Sequence, residues 1–187
     1  MKTRTLETSP QVYARSYALL YLVVIAAGII AQMVIGGKLI VDGDAAMTAN
    51  NILAHKDLFQ LGFTVYLIEM TCQIALSVLF YILLKPVNRN IALLALVFSL
   101  VGCTINTLSR LFYIAPLLVL GNSPYLTIFS AEQLQALALL LLNVNYQAAG
   151  IALAFFGVST FLNGYLVFRS AFLPRILGVL SILGGLG

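Results

Sequence analysis

Residues 58–84 read LFQLGFTVYLIEMTCQIALSVLFYILL and residues 91–120 read IALLALVFSLVGCTINTLSRLFYIAPLLVL, joined by the turn Lys85–Asn90. Each run holds a single charged residue, Glu69 in the first and Arg110 in the second. About 20 mostly apolar residues suffice for a helix to cross the hydrocarbon core of a bilayer. Both runs exceed that length, so each predicts a transmembrane helix that tilts or projects. The short turn between them predicts antiparallel neighbours. Pro116, near the end of the second run, predicts a kink there.

Apolar runs on either side extend the pattern. Residues 16–36 follow Lys2, Arg4 and Arg15 and are too long for a signal-peptide core, which predicts an uncleaved signal anchor. Residues 131–168 contain no proline. One helix of that length would reach nearly 60 Å, about twice the hydrocarbon thickness. The polar cluster Asn143–Gln147 therefore predicts a break, with residues 131–142 at the surface and 146–168 crossing. Ser130 and Gln133 have capping-box spacing and mark a helix start. Residues 174–187 are too short to span and end in uncharged Gly-Gly-Leu-Gly. A free carboxylate in hydrocarbon is costly, so this run is expected to be part of a fifth span of a longer chain.

The composition agrees. Of 187 residues, 61% are apolar and 9% charged, against roughly 45–50% and about 25% in soluble domains. A soluble globule of this size cannot hide that much hydrocarbon. The figures exclude a soluble enzyme, a disordered chain, a disulfide scaffold and a fibrous protein. The net charge of +4 comes from dispersed basic residues without a contiguous stripe, so no nucleic-acid partner is expected.

Alternating the spans puts Lys2, Arg4, Arg15, Lys85, Arg89, Arg169 and Arg175 on one side, opposed only by Glu7. The other side carries Lys38 and Lys56 against Asp42, Asp44, Asp57 and Glu132. The positive-inside rule then places the N-terminus in the cytoplasm. Interfacial belts are expected from Tyr13, Tyr17, Phe80, Tyr81, Tyr165 and Phe168 inside, and from Phe59, Phe63, Tyr125 and Phe129 outside. In the outer loop, Asp44 as N-cap puts Ala45, Ala49, Ile52 and Leu53 on one face of a short amphipathic surface helix. The expected fold is all-α: one polytopic transmembrane bundle over residues 1–187, with four full spans, a truncated fifth and short surface helices in the outer loops.

An ionisable residue inside a span is a functional-site hypothesis by default. Glu69 and Arg110 lie at similar depth on adjacent helices, and an ion pair between them would leave neither charge alone in lipid. Tyr66, Glu69, Gln73 and Ser77 share one helix face, as do Ser99, Cys103, Asn106, Arg110 and Tyr113. Asn143 and Gln147 on the fourth span are placed to close the site from a third side. The candidate site is thus Tyr66, Glu69, Gln73, Asn106, Arg110, Tyr113, Asn143 and Gln147. Two functions fit it: a hydrated pocket that binds or transports a small polar or amphiphilic molecule, or a dry polar seam in a structural, sensory or partner-binding subunit. Ala27/Ala31, Gly150/Ala154 and Ser181/Gly185 offer close-packing faces. Cys72 and Cys103 read as inert apolar thiols. The single histidine, His55, sits in a loop without metal-ligand spacing. No metal, cofactor or enzymatic activity is therefore expected.

Several stretches carry a family resemblance: KLIVDGDAA at 38–46 running on to NILAH at 51–55, LLKPVNR at 83–89, EQLQALA at 132–138, and GYL at 164–166 with RS at 169–170 and LPRILG at 173–178. Together they resemble a bacterial family of uncharacterised integral membrane proteins, domain of unknown function 4386. The resemblance covers nearly the whole chain. It implies a multi-pass protein of the bacterial inner (cytoplasmic) membrane that continues past residue 187, and it brings no catalytic residue with it.

Overall fold

The computed structural model describes residues 10–121, 123–170 and 173–186. The expectations for Lys2, Arg4, Glu7, the side chains of Tyr13, Arg15 and Tyr17, and the terminus at Gly187 lie outside the described residues. Among the described residues the fold is all-helical, as the apolar runs require. In chain order it contains α1 (Pro10–Ile29), a π-helical stretch Ile30–Gly36, α2 (Gly37–Leu39), α3 (Ala45–Ala54), α4 (Lys56–Leu84), α5 (Arg89–Ile114), α6 (Pro116–Val119), a 3₁₀ turn Pro124–Leu126, α7 (Ala131–Arg169) and α8 (Arg175–Leu186). Three helical stretches are long and apolar enough to cross a membrane: Lys56–Leu84, Arg89–Val119 and Ala131–Arg169.

The starts of these helices follow from local chemistry. The Asp44 carboxylate accepts from the Met47 N–H at 2.8 Å and begins α3. The Asn88 side-chain oxygen accepts from the N–H groups of Asn90 and Ile91, both at 3.1 Å, and begins α5. Ser130 and Gln133 form the expected capping box at the start of α7: the Ser130 hydroxyl accepts from the Gln133 N–H, and the Gln133 side chain accepts from the Ser130 N–H. Such caps satisfy N–H groups that have no partner within the helix. Pro116 interrupts the third apolar run, which ends α5 at Ile114 and restarts as α6.

The long helices pack in a row, α1 on α4, α4 on α5, α5 on α7 and α7 on α8, with α3 laid across α7. The face of α3 differs slightly from expectation: Thr48, Ala49 and Ile52 are buried, whereas Leu53 is exposed. Thr48 closes the preceding loop, accepting from the Val41 N–H at 3.0 Å and donating to the Val41 carbonyl at 3.1 Å. One core gathers Leu39, Ile52, Phe59, Tyr66, Tyr113 and Leu142, and a second at the far end gathers Leu84, Ala92, Leu166 and Val167. Phe59 was expected at an interface but is fully buried and stacks on Tyr113, while Tyr125 and Phe129 are exposed.

Two expectations are corrected. The predicted break at Asn143–Gln147 is absent, because α7 runs unbroken through 39 residues. Asn and Gln lower helix propensity by only a few tenths of a kcal/mol each, and neither Gly nor Pro stands among those five residues. Asn145 meets Arg110 while Asn143 and Gln147 are exposed along a cleft, and the backbone is left helical. With α7 continuous, residues 131–142 are its first turns and do not form a separate surface helix. Of the expected small-residue faces, Ser181/Gly185 is closely packed at Gly185, but Gly150/Ala154 is open at Gly150. A Cβ added at Gly150 would meet nothing within 4 Å. The close approach lies instead between α7 and α8, where Gly157 faces Gly185 and Gly164 faces Gly178. Seven residues separate the glycines on each helix, so antiparallel packing brings both pairs into contact along one seam.

A Cβ on Gly178 would sit 2.5 Å from the Phe168 nitrogen and 2.8 Å from the Gly164 carbonyl oxygen. Backbone atoms cannot yield as a flexible side chain can. Gly178→Ala should therefore destabilise the α7–α8 seam by about 1–3 kcal/mol, the usual cost of overpacking. Gly150→Ala, in open space, should be neutral or stabilising. Thermal unfolding of the two variants in detergent checks the contrast, and equal melting temperatures would contradict the seam.

Candidate functional site

The predicted site residues fall into two clefts. The first, of about 370 Å³, opens between α1, α4, α5, α7 and α8. Glu69, Gln73 and Ser77 line it from α4, Ser99 and Asn106 from α5, and Ser159, Thr160 and Asn163 from α7. The second, of about 560 Å³, lies nearer the α3 end and is lined by Tyr66, Arg110, Tyr113, Asn143, Asn145 and Gln147, with Asp42 from the loop before α3. Asn106 belongs to both: it lines the first cleft and holds the guanidinium of the second.

The second cleft is built around Arg110, which is 6% exposed. Its Nη2 donates to the Asn106 side-chain oxygen at 3.0 Å, and its Nη1 donates to the Asn145 side-chain oxygen at 3.3 Å. Its Cζ stands 3.7 Å from the centre of the Tyr66 ring, in cation–π contact. Tyr66 meets Tyr113 edge-on at 5.3 Å, and Tyr113 stacks on Phe59 at 4.5 Å with the rings 10° from parallel. One cation thereby ties α4, α5 and α7 together. Ser109 donates to the Asn106 carbonyl at 2.7 Å, which adds a local bond on the same turn.

The expected ion pair between Glu69 and Arg110 does not form among the described residues. The two residues do lie on adjacent helices, but the Tyr66 ring occupies the face of the guanidinium. Glu69, one turn further along α4, turns toward α1, where its Oε1 lies 3.3 Å from the point a Cβ on Gly28 would occupy. The absent side chain of Gly28 leaves room for the carboxylate. The spacing-based face is thus correct as a stripe but too coarse. Three residues advance a helix by about 300°, enough to split Tyr66 and Glu69 between two neighbours.

Gln73 lies in the first cleft with Glu69, and Asn143 and Gln147 line the second, where both are exposed. Below Glu69 the helices are joined by direct bonds. Ser77 and Ser99 hydroxyls meet at 2.6 Å and the Ser159 hydroxyl donates to the Ala95 carbonyl at 2.8 Å, while within α7 itself Asn163 donates to Ser159 at 3.4 Å. Sequence reasoning missed Asn145, Phe59, Ser159 and Asn163. The four-residue spacing of Ser159 and Asn163 within an apolar helix was a usable signal. The pairing of Asn145 with Arg110 was not, because it depends on how α5 and α7 cross.

The profile of the family described as "Domain of unknown function (DUF4386)" matches residues 17–187. The chain belongs to this family. It is also 26% identical over 125 residues to a protein of Archaeoglobus fulgidus named "Uncharacterized protein", across 67% of this chain and 59% of that one. The chain therefore matches less than two thirds of the length of that relative. No solved structure matches the chain.

Removing Asn106 strips an acceptor from a buried cation, and an unmatched hydrogen bond to a charged group costs about 1.5–3 kcal/mol. Asn106→Ala should lower stability by that amount. Asn106→Asp should restore or raise it by giving Arg110 a carboxylate. Melting temperatures in detergent check the order Asp ≥ Asn > Ala, and an Ala variant as stable as the parent chain would remove Asn106 from this role.

Proposed function

We propose that this chain is a non-catalytic, multi-pass protein of the bacterial inner membrane that binds or transports a small polar or amphiphilic molecule within its helical bundle. The carrying observation is the inverted distribution of polarity around the first cleft. Glu69, Gln73, Ser77, Asn106, Ser159 and Asn163 line an opening of about 370 Å³. The other faces of the same helices expose Ile68, Ile74, Val97, Leu108 and Ile151. Polar side chains turned inward and aliphatic ones outward suit a surrounding of lipid with water inside.

The orientation has the same kind of support. Lys85 and Arg89 flank the turn between α4 and α5, and Arg169 and Arg175 flank the turn between α7 and α8. These turns meet at one end of the bundle, where Val87, Asn88, Tyr165 and Arg169 line a common cleft. Asp42, Asp44 and Asp57 accompany Lys38 and Lys56 near α3, at the other end. A cytoplasmic N-terminus follows from the basic end facing inward. The second reading, a structural, sensory or partner-binding subunit with a dry polar seam, draws its support from the Ser77–Ser99 and Ser159–Ala95 bonds. These lie along the same cleft, so the deciding variable is water.

In a chain whose own cysteines are replaced by serine, Gln73→Cys should react with a charged methanethiosulfonate reagent in membranes. Ile74→Cys, one residue on and 42% exposed on the outer face, should not, because a thiol in hydrocarbon neither ionises nor meets the reagent. Unreactive Gln73→Cys would favour the dry seam, and reactive Ile74→Cys would remove the membrane reading. In intact cells, His55→Cys should label from outside and Arg89→Cys only after permeabilisation. The reverse order would invert the topology.

A further inference from the structure

The second cleft carries a charge that its own walls leave unanswered. Arg110 uses two of its five N–H donors among the described residues, both on neutral amide oxygens. Its Nε and the Tyr113 hydroxyl are buried and have no hydrogen-bond partner among the described residues. Arg110 is 94% buried and Tyr113 98% buried, the complements of their 6% and 2% exposure. Neither nearby carboxylate touches the guanidinium: Glu69 turns to the first cleft, and Asp42 stands exposed at the rim. A buried cation without an anion is costly to hold, and buried donors without acceptors add to that cost. Structural arginines in apolar helices are ordinarily paired. Among the described residues no carboxylate pairs with Arg110, and a cleft of about 560 Å³ stands beside it.

We propose that the Arg110 cleft is a binding site for an oxyanion, a carboxylate or phosphate group, held by the guanidinium and the Tyr113 hydroxyl. The guanidinium fork matches the oxygen spacing of both groups. The Tyr66 ring covers one face of the fork, and the edge donors that Asn106 and Asn145 do not take are those an anion would use. Asn106 and Asn145, on α5 and α7, keep the fork in place without neutralising it. The rest of the ligand would extend past Asn143 and Gln147 toward the Asp42 rim. The oxyanion could belong to a soluble molecule or to a phospholipid headgroup, since both present the same oxygens.

The test uses the full chain purified in an uncharged maltoside detergent. Its melting temperature is followed as sodium phosphate or sodium acetate replaces sodium chloride at constant ionic strength. A parallel series adds phosphatidylglycerol to the micelles, with phosphatidylcholine as control. The expected result is a saturable rise with at least one of the three anions. A rise with the salts assigns the site to a soluble anion, and a rise with phosphatidylglycerol alone assigns it to a headgroup. Arg110→Gln should abolish the rise. Tyr113→Phe removes only an unpartnered hydroxyl, so it should leave the anion-free melting temperature unchanged or higher while raising the half-saturating concentration roughly tenfold. No saturable rise with any anion overturns the inference. So does a rise that Tyr113→Phe leaves unaltered, which keeps the test decisive if Arg110→Gln does not fold. Cysteine labelling at Gln73 reports on the other cleft, so the wider binding function and this inference can fail separately.

Discussion

A guanidinium inside an apolar helix constrains everything around it. Arg110 is only 6% exposed, so neighbouring helices supply most of what water would. Asn106 sits one turn back on the same helix, Asn145 arrives from α7 and the Tyr66 ring arrives from α4. Three helices are thereby fixed in rotation as well as in distance. A helix turned by one residue would carry its partner about 100° away. The aromatic column Phe59–Tyr113–Tyr66 then fills the space behind the cation, and it is the bulkiest part of the core at that end.

The opposite flank of the bundle is held by a different force. Between α7 and α8 the closest contacts run through glycines. Gly157 and Gly164 let α8 approach until backbone meets backbone. In lipid, where apolar side chains gain nothing by leaving one apolar medium for another, such close packing is a main source of helix association. The molecule therefore joins a polar, directional interface on one side of α7 with a smooth, shape-based one on the other. The first cleft lies between them, where α1, α4, α5, α7 and α8 all contribute lining residues.

How much of this was legible in sequence depends on the range of the interaction. Caps at Asp44 and Ser130, the interruption at Pro116 and the antiparallel α4–α5 pair rest on residues a few positions apart, and local spacing reveals them. The polar stripes were legible as stripes, since a helix fixes which residues share a face. Their partners were not. Glu69 and Arg110 are the obvious match by charge, yet Tyr66 takes the place the carboxylate would need, and room beside Gly28 draws Glu69 the other way. The continuity of α7 was missed for a related reason. Asn143, Asn145 and Gln147 looked like a surface break when counted by polarity alone. Polar residues in a helix interior break it only when the backbone gains a better partner, and here the cleft gives the side chains their surroundings.

The two clefts meet at Asn106, and that position makes them more than neighbours. The Asn106 side-chain oxygen accepts from the Arg110 Nη2, while the residue also forms wall of the cleft that holds Glu69. A group bound to Arg110 that draws the guanidinium away would free this amide to turn toward the acidic cleft. A group bound beside Glu69 that takes the amide would release one Arg110 donor to an anion. Were both clefts occupied, each would change what the other offers through this one side chain. Linkage makes that coupling reciprocal for binding free energies. The separation of one carboxylate and one guanidinium into adjoining clefts, which first looks like a failed ion pair, is thus what gives this bundle two chemically opposite faces joined by a neutral hinge.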